Sequence, residues 1–361
     1  MSTIDIQLPE NNHQIHIGAQ ILDSLGEKLT SLSLGQDAVV ITNPIIRRYH
    51  GQRLALGLAK AKISVKFIEI LSGERSKSAR CAFKVVEEIA HYSVGRKIFI
   101  VAFGGGVVGD LAGFLAATYK RGIPYIQVPT TLLAQIDSAI GGKVGIDLPV
   151  GKNLVGAFYQ PRLIYSDVAM LSTLTLRQVR NGLAEAIKYG VIADHHVFSF
   201  LETQVEKLLK LEPKALTELV SQCSMIKAQV IMQDEKEQKG TRTILNFGHT
   251  VGHAIEAANQ YRNYHHGEAV ALGMRAAAEI SHRMKLLDKA SQQRINALIS
   301  AAGLPEKIEK VSLSAILKHM VHDKKFEATT NRFVLATRIG SVKVVKGIHP
   351  KLIAGAIRSL M

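Results

Sequence analysis

Tryptophan is absent, and all aromatic residues together make up 6% of the 361-residue chain. A non-enzymatic nucleic-acid-binding protein would want stacking platforms or a recognised binding motif beside its basic residues. No such motif occurs, and that class is set aside. Cysteine is also scarce. Cys81 and Cys223 lie far apart with no CxxC spacing, which excludes a disulfide scaffold and a zinc-thiolate cluster and fits a reducing compartment. No long uninterrupted apolar run occurs. The most apolar stretch, Lys97 to Tyr119, is broken by glycines and Asp110 and bounded by charge, so no membrane span and no membrane partner are expected. The opening MSTIDIQLPE has an early acid and no apolar core. It does not read as a secretory signal, and a cytoplasmic protein is expected.

What is present is an ordinary globular composition, 47% hydrophobic and 21% charged, at a length that suggests two domains. The unusual quantity is charge: 45 Lys and Arg against 30 Asp and Glu, a formal +15. An excess of that size points to an anionic partner. It leans C-terminal, with +5 over residues 1–170 and +10 over 171–361, and it forms no long basic run.

The first half alternates short apolar runs with helical patterns. Ile4, Ile6 and Leu8, then Ile15 and Ile17, flank the turn-forming Pro9-Glu10-Asn11-Asn12 and predict a hairpin. Strands are expected at Ala38–Thr42, Val65–Leu71, Lys97–Phe103, Tyr125–Pro129 and Leu163–Ser166, with a helix such as Ala79–His91 between them. That alternation implies an α/β fold: an N-terminal Rossmann-like domain with a mainly parallel sheet, over 1–170. From about Leu171 helical patterns dominate, at 176–192, 197–210, 213–232, 248–259, 267–285 and 290–302. A mainly α-helical C-terminal domain is therefore expected over 171–361, retaining strands only at Phe333–Thr337 and Val342–Val345.

Residues 103–110 read Phe-Gly-Gly-Gly-Val-Val-Gly-Asp, after a strand and before a helix. Gly104, Gly106 and Gly109 satisfy GxGxxG, a pattern that lets backbone approach a pyrophosphate at a helix N-terminus. The acid expected about 20 residues on is missing, because Leu111 to Ile136 contains no Asp or Glu. The loop thus reads as a phosphate-binding loop outside the standard dinucleotide layout. Asn43, Glu74, Lys77, Thr130 and Thr131 follow predicted strands, where ligands bind in open α/β sheets. Asp137, Lys143, Lys152 and Asn153 come soon after in a Gly-rich stretch.

His249 and His253 lie four apart and share a helix face, and His265-His266-Gly267-Glu268 follows. Glu185 sits in an apolar helical stretch where an unpaired carboxylate is costly. Two His and one Glu form the ligand set of a catalytic zinc with an open position. Residue types alone do not choose among the four histidines. Lys188, three after Glu185, and Lys227 are further cations in apolar company, and Lys120-Arg121 closes the glycine-loop helix. A multiply anionic substrate needs several such groups.

The chain resembles the 3-dehydroquinate synthase family of sugar phosphate cyclases. The likeness runs from about Asp37 to Gly340. It is densest in Gly104–Asp110, Gln127–Gln135, Gly151-Lys152-Asn153, Leu183–Gly190, Asn246–Glu256 and His266-Gly267-Glu268. The resemblance implies conversion of 3-deoxy-D-arabino-heptulosonate 7-phosphate to 3-dehydroquinate and phosphate in the shikimate pathway. In that reaction NAD is reduced and regenerated within each turnover. It implies a divalent metal, zinc or else cobalt, on Glu185, His249 and His266, with His253 in the proton relay. It places Lys143, Asn153, Lys188, Lys227, Arg242 and Asn246 on the acidic sugar phosphate, with another phosphate contact at Lys324 or its neighbour Lys325. Asn43, Glu74, Lys77, Gly104, Gly105, Gly106, Asp110, Thr130, Thr131, Asp137 and Lys152 fall to the cofactor, Asp137 also facing the reacting hydroxyl. Arg121 matches an arginine that reaches a phosphate bound in the partner subunit, which implies a homodimer. The chain departs from relatives at Asn43-Pro44-Ile45, where they carry further polar residues. A glycerol-dehydrogenase-like alcohol dehydrogenase and a cyclase forming another ring are the alternatives.

Overall fold

The computed structural model describes residues 1–260, 262–321 and 331–361. The chain gathers into two compact units: Met1–Leu174 with Leu216–Lys236, and Thr175–Ala215 with Glu237–Met361. The first unit takes in Leu216–Lys236, and with it most of the helix Pro213–Gln233. Buried polar contacts tie this helix to the rest of the unit. The Ser224 hydroxyl donates to the Gln135 carbonyl at 3.3 Å, and Lys227 bonds Asp137.

The first unit is built on a seven-stranded sheet whose strands, in spatial order, are Ser2–Ile6, His13–Gly18, Leu163–Asp167, Tyr125–Pro129, Ile98–Gly104, Asp37–Thr42 and Ser64–Glu69. In chain order these are β1 (Ser2–Ile6), β2 (His13–Gly18), β3 (Asp37–Thr42), β4 (Ser64–Glu69), β5 (Ile98–Gly104), β6 (Tyr125–Pro129) and β9 (Leu163–Asp167). All pairings are parallel except that of the β1–β2 hairpin. A parallel sheet is covered on both faces, so its strands are apolar on both. Val39, Ile41, Ile100 and Ala102 pack on one side with Val85 and Ile89 of helix Ala79–Tyr92 and Leu111 and Leu115 of helix Gly106–Thr118. The alternate residues Val40, Phe99, Val101 and Phe103 pack on the other side with Leu25, Leu29, Leu54 and Leu58. Two further helices, Leu25–Leu32 and Gln52–Lys60, lie on that second face, the latter between β3 and β4, where a helical pattern is expected.

The Gly-rich stretch after Asp137 also forms a hairpin that the pattern does not foretell, β7 (Lys143–Leu148) with β8 (Gly151–Phe158). Gly145 faces Gly156 across it. A Cβ on Gly156 would lie 2.2 Å from the Val144 carbonyl oxygen, so the strands meet backbone to backbone.

The second unit holds helices Leu176–Ile192, His195–Leu209, His249–Ala258, His266–Arg283, Lys289–Ala301, Leu313–Val321 and Pro350–Arg358, with one hairpin, β10 (Arg332–Arg338) and β11 (Ser341–Lys346). Several of its helix starts are capped by side chains: Thr175 and Gln178 form a capping box, and Asp194 and Asp288 accept from backbone N–H groups. Among the described residues no helix is long and apolar enough to cross a membrane.

Candidate active site: a three-ligand centre and a nucleotide loop

Helix Leu176–Ile192 is buried without interruption from Gly182 to Ile192, and Glu185 and Lys188 lie within that run, 0% and 2% exposed at their side chains. Two ionised groups at such depth are tolerated only together. The Lys188 ammonium contacts Glu185 Oε2. The other carboxylate oxygen, Oε1, lies 3.5 Å from His249 Nε2 and 3.3 Å from His266 Nε2.

Glycine brings these helices together. Gly248, at φ +80°, precedes His249, and a Cβ on Gly273 would lie 1.9 Å from its carbonyl oxygen. A Cβ on Gly267 would lie 2.2 Å from the Asn181 carbonyl oxygen. Helices His249–Ala258 and His266–Arg283 therefore approach one another, and the second approaches Leu176–Ile192, through main chain. The outer end is fixed by Arg177, whose Nε and Nη2 each donate to Glu268 at 2.7 Å. Glu268 also accepts from the His265 N–H as a cap.

One ligand atom each from Glu185, His249 and His266 falls within a 4.8 Å group. The orientation of the rings fits a metal. His249 Nδ1 lies 3.1 Å from the Phe247 carbonyl oxygen, and His266 Nδ1 lies 3.3 Å from Glu256 Oε2. Each acceptor can hold a proton on Nδ1, so that with a metal bound the Nε2 lone pair would be free for the ion, the usual support of metal-binding histidine. Neither Glu185 oxygen has a hydrogen bond of ordinary geometry among the described residues. Burial alone would raise its pKa, but Lys188 and the two imidazoles outweigh burial and hold it well below the usual carboxylate range. Burial pushes His249 down to about 3. His266 is pushed up to about 10, because Glu185 and Glu256 outweigh the burial that opposes its charge. The geometry thus separates the four histidines. His249 and His266 face Glu185, and His265 caps a helix. His253 lies beside them, its ring centroid 5.2 Å from that of His249.

In the first unit, β3, β4, β5 and β6 run parallel and adjacent, so Asn43, Glu74, Lys77, Gly104–Gly106, Thr130 and Thr131 follow one common edge of the sheet. Helix Gly106–Thr118 starts there with Gly105 at its N-cap and no side-chain cap. Its first N–H groups are the donors that a phosphate at a helix N-terminus uses. A Cβ on Gly105 would lie 3.1 Å from Thr131 Cγ2, and one on Gly106 3.0 Å from Ser138 Oγ. The Thr130 hydroxyl is buried with no hydrogen-bond partner among the described residues. These features fit a dinucleotide pyrophosphate. Asn43 is partly committed: its Oδ1 accepts from the Ile46 N–H at 3.0 Å.

Hairpin β7–β8 delivers two further residues to this edge. The Lys77 carbonyl accepts from the Asp147 N–H at 2.8 Å, which docks the hairpin. Lys77 Nζ then bonds Asp110 at 2.5 Å and the Asn153 side-chain oxygen. Lys152 lies 3.5 Å from Glu74. Lys227 bonds the side chain and backbone oxygen of Asp137.

Residues 67–181 match the 3-dehydroquinate synthase N-terminal family, and residues 182–326 match the 3-dehydroquinate synthase C-terminal family. The 3-dehydroquinate synthase of Pelotomaculum thermopropionicum is 46% identical over 349 residues, covering 96% of this chain and 94% of its own. The chain belongs to the 3-dehydroquinate synthase family. The enzyme of that name from Nostoc punctiforme is 42% identical over 362 residues, with 99% of each chain covered. Among solved structures, 2-deoxy-scyllo-inosose synthase complexed with carbaglucose-6-phosphate, NAD+ and Co2+ superposes with a TM-score of 0.91 at 29% identity, over 100% of both chains. The 2-epi-5-epi-valiolone synthase of Streptomyces hygroscopicus, with NAD+ and Zn2+ bound, gives 0.89 at 25%, over 98% of both. An iron-containing alcohol dehydrogenase gives 0.68 at 16% over 96% of this chain and 97% of its own; with it the chain shares the fold.

The remaining residues expected from membership of the 3-dehydroquinate synthase family are placed as follows. Arg242 is buried in the second unit, its Nε 3.5 Å from Glu237, and Asn246 ends the short helix Thr241–Asn246. Lys143 opens β7 at an exposed position. Arg121 does not join the glycine-loop edge. It is exposed and precedes β6, at the opposite edge of the sheet, in a turn where Lys120 and Arg121 take φ of +49° and +66°. Lys324 and Lys325 lie outside the described residues. Sequence reasoning missed Glu256. The signal available was its spacing of seven from His249, which keeps both on one helix face.

Proposed function

We propose that the chain is a metal- and NAD-dependent 3-dehydroquinate synthase. It would convert 3-deoxy-D-arabino-heptulosonate 7-phosphate to 3-dehydroquinate and phosphate, a carbon–oxygen lyase reaction and the second step of the shikimate pathway. The observation that carries the reading is the convergence of His249, His266 and Lys188 on the buried Glu185 carboxylate. The relatives' names support it. So do the two cyclase structures that hold NAD+ with Co2+ or Zn2+.

Glu185, His249 and His266 would hold a divalent ion, zinc or cobalt, which supplies Lewis acidity toward the substrate's C4 and C5 hydroxyls. NAD would lie on the glycine-loop edge and supply a hydride acceptor that gives the hydride back before release. That transient oxidation at C5 acidifies the proton lost with phosphate in the β-elimination, so a redox cofactor serves a reaction with no net redox change.

The chain's own residues have three tasks. The N–H groups at Gly105 and Gly106 receive the pyrophosphate, with Thr130 and Thr131 beside it, Lys152 near the nicotinamide, and Asp137 toward the cofactor and the reacting hydroxyl. Lys143, Asn153, Lys188, Lys227, Arg242, Asn246 and one of Lys324 and Lys325 bind the substrate's carboxylate, phosphate and hydroxyls. His253 moves protons to and from substrate oxygen during reduction, ring opening and aldol closure. In the family the substrate phosphate assists in removing its own proton. A homodimer, with Arg121 serving the neighbouring subunit, and a cytoplasmic location complete the reading.

The fold shared with alcohol dehydrogenases gives the competing reading. Phosphate release from the heptulosonate phosphate at trace NAD, with no accumulation of NADH, is expected. Stoichiometric NADH without phosphate would replace the synthase by a dehydrogenase. Mass spectrometry of the product separates 3-dehydroquinate from another cyclised ring.

A further inference from the structure

His266 is contacted from both sides. Its Nε2 lies 3.3 Å from Glu185, and its Nδ1 lies 3.3 Å from Glu256 Oε2. Glu256 is 7% exposed and sits near the end of helix His249–Ala258, whose first residue is His249. One short helix therefore carries a candidate ligand at its start and, two turns on, a carboxylate against the other candidate histidine. The two imidazoles are supported differently. His249 has a neutral backbone carbonyl at its Nδ1, whereas His266 has a carboxylate. A carboxylate acceptor fixes the tautomer more firmly and makes the opposite nitrogen a stronger donor.

We propose that Glu256 is a positioning residue of the metal centre: it takes the Nδ1–H of His266, aims the Nε2 lone pair at the Glu185 position and so sets metal affinity. The proposal rests on the Glu185–His249–His266 centre. One rival use of Glu256 has a geometric basis. Single ligand atoms of His253, Glu256 and His266 also fall within 4.8 Å of one another, so Glu256 could itself be a ligand of an ion placed there. The two uses exclude each other at His266, whose Nδ1 would be a proton carrier in one and a ligand in the other.

The test uses Co2+ as the probe in the full-length chain. Its visible absorption reports coordination, and competition with a chromophoric chelator reports affinity. In Glu256→Gln the amide oxygen can still accept from Nδ1–H. Co2+ affinity should fall ~10–100-fold, the band positions and intensities should stay those of the parent, and kcat at saturating Co2+ should recover. Glu256→Ala should weaken binding more than Glu256→Gln. Parent-like affinity in Glu256→Gln overturns the proposal. So does a shifted band pattern with lost intensity, which would make Glu256 a ligand. Glu185→Gln is the control: if it too keeps parent affinity, the three-ligand centre is misassigned and the failure lies there. If Glu256→Ala does not fold, the isosteric Glu256→Gln decides alone.

Discussion

Lys77 and Asp110 are 33 positions apart in sequence and 2.5 Å apart in the folded chain. The same ammonium meets the Asn153 side chain, so one buried lysine joins the end of β4, the glycine-loop helix and the β7–β8 hairpin. Burial raises the Asp110 carboxyl to about 6 even though Lys77 opposes the rise. We predict that Lys77→Met lets that carboxyl rise further and frees the hairpin. Removing one partner of a fully buried pair costs ~3–5 kcal/mol. Asp110 keeps a side-chain exposure of 23%, so about 1–3 kcal/mol is expected here. Thermal unfolding should show a lower midpoint and fluorescence titration a weaker grip on NAD. An unaltered NAD affinity would remove Lys77 from the nucleotide site.

Glu185 and His253 should separate by readout. Glu185→Ala is expected to lose metal and turnover together, checked by metal analysis of protein purified without chelator. His253→Ala should keep its metal and lose turnover by ~10²–10⁴-fold, the range that general acid–base catalysis supplies. If His253→Ala loses its metal instead, the roles of the histidines must be reassigned.

Arg121 offers a test of subunit cooperation. It is exposed at the sheet edge opposite the glycine loop, and it and Lys120 both hold positive φ, a strain of order 1–3 kcal/mol per residue that local packing must sustain. Alone, Arg121→Ala and Glu185→Ala should each be nearly inactive. Refolded together in equal amounts, half the dimers are mixed. Each mixed dimer holds one site with both residues intact, so about a quarter of parental activity should return. No recovery would place Arg121 outside the partner's site.

His13 begins β2 and is buried, and burial lowers its pKa to about 4. The unfolded chain titrates near 6.5, so between these values it binds a proton that the folded chain does not. Stability from the neutral ring is present above pH 6.5 and is lost as the pH falls toward 4, by up to ~3 kcal/mol. Denaturant titrations at pH 7 and pH 4.5 should show a smaller loss in His13→Asn than in the parent. Equal losses would mean that His13 is protonated in the fold.

The sheet strands were legible because each is a short apolar run bounded by turn residues, and Tyr125–Pro129 begins and ends where its pattern does. Hairpin β7–β8 was not, because Gly145 and Gly156 occupy facing positions and erase the alternation by which strands are read. The grouping of Leu216–Lys236 with the first unit was equally hidden, because periodicity shows which helix face is apolar and not which element covers it. At the three-ligand centre the residue types were visible. The choice among four histidines was not legible from residue types and spacing, only from the family resemblance, because it depends on which helix faces meet. Gly267 and Gly273 decide that by admitting a neighbouring backbone, and a single sequence does not reveal what fills the space beside a glycine.

The contact between Gly273 and the Gly248 carbonyl has a practical meaning for anyone wishing to alter this centre. Main chain rests on main chain there, so the spacing of the two histidine-bearing helices is a mechanical stop that side chains elsewhere do not adjust. Adding one methyl group at Gly273 would pry the helices apart, while substitutions on their outward faces would leave the spacing of His249 and His266 unchanged. Attempts to retune the ion it accepts should therefore change the donor atoms and keep the hinge pins.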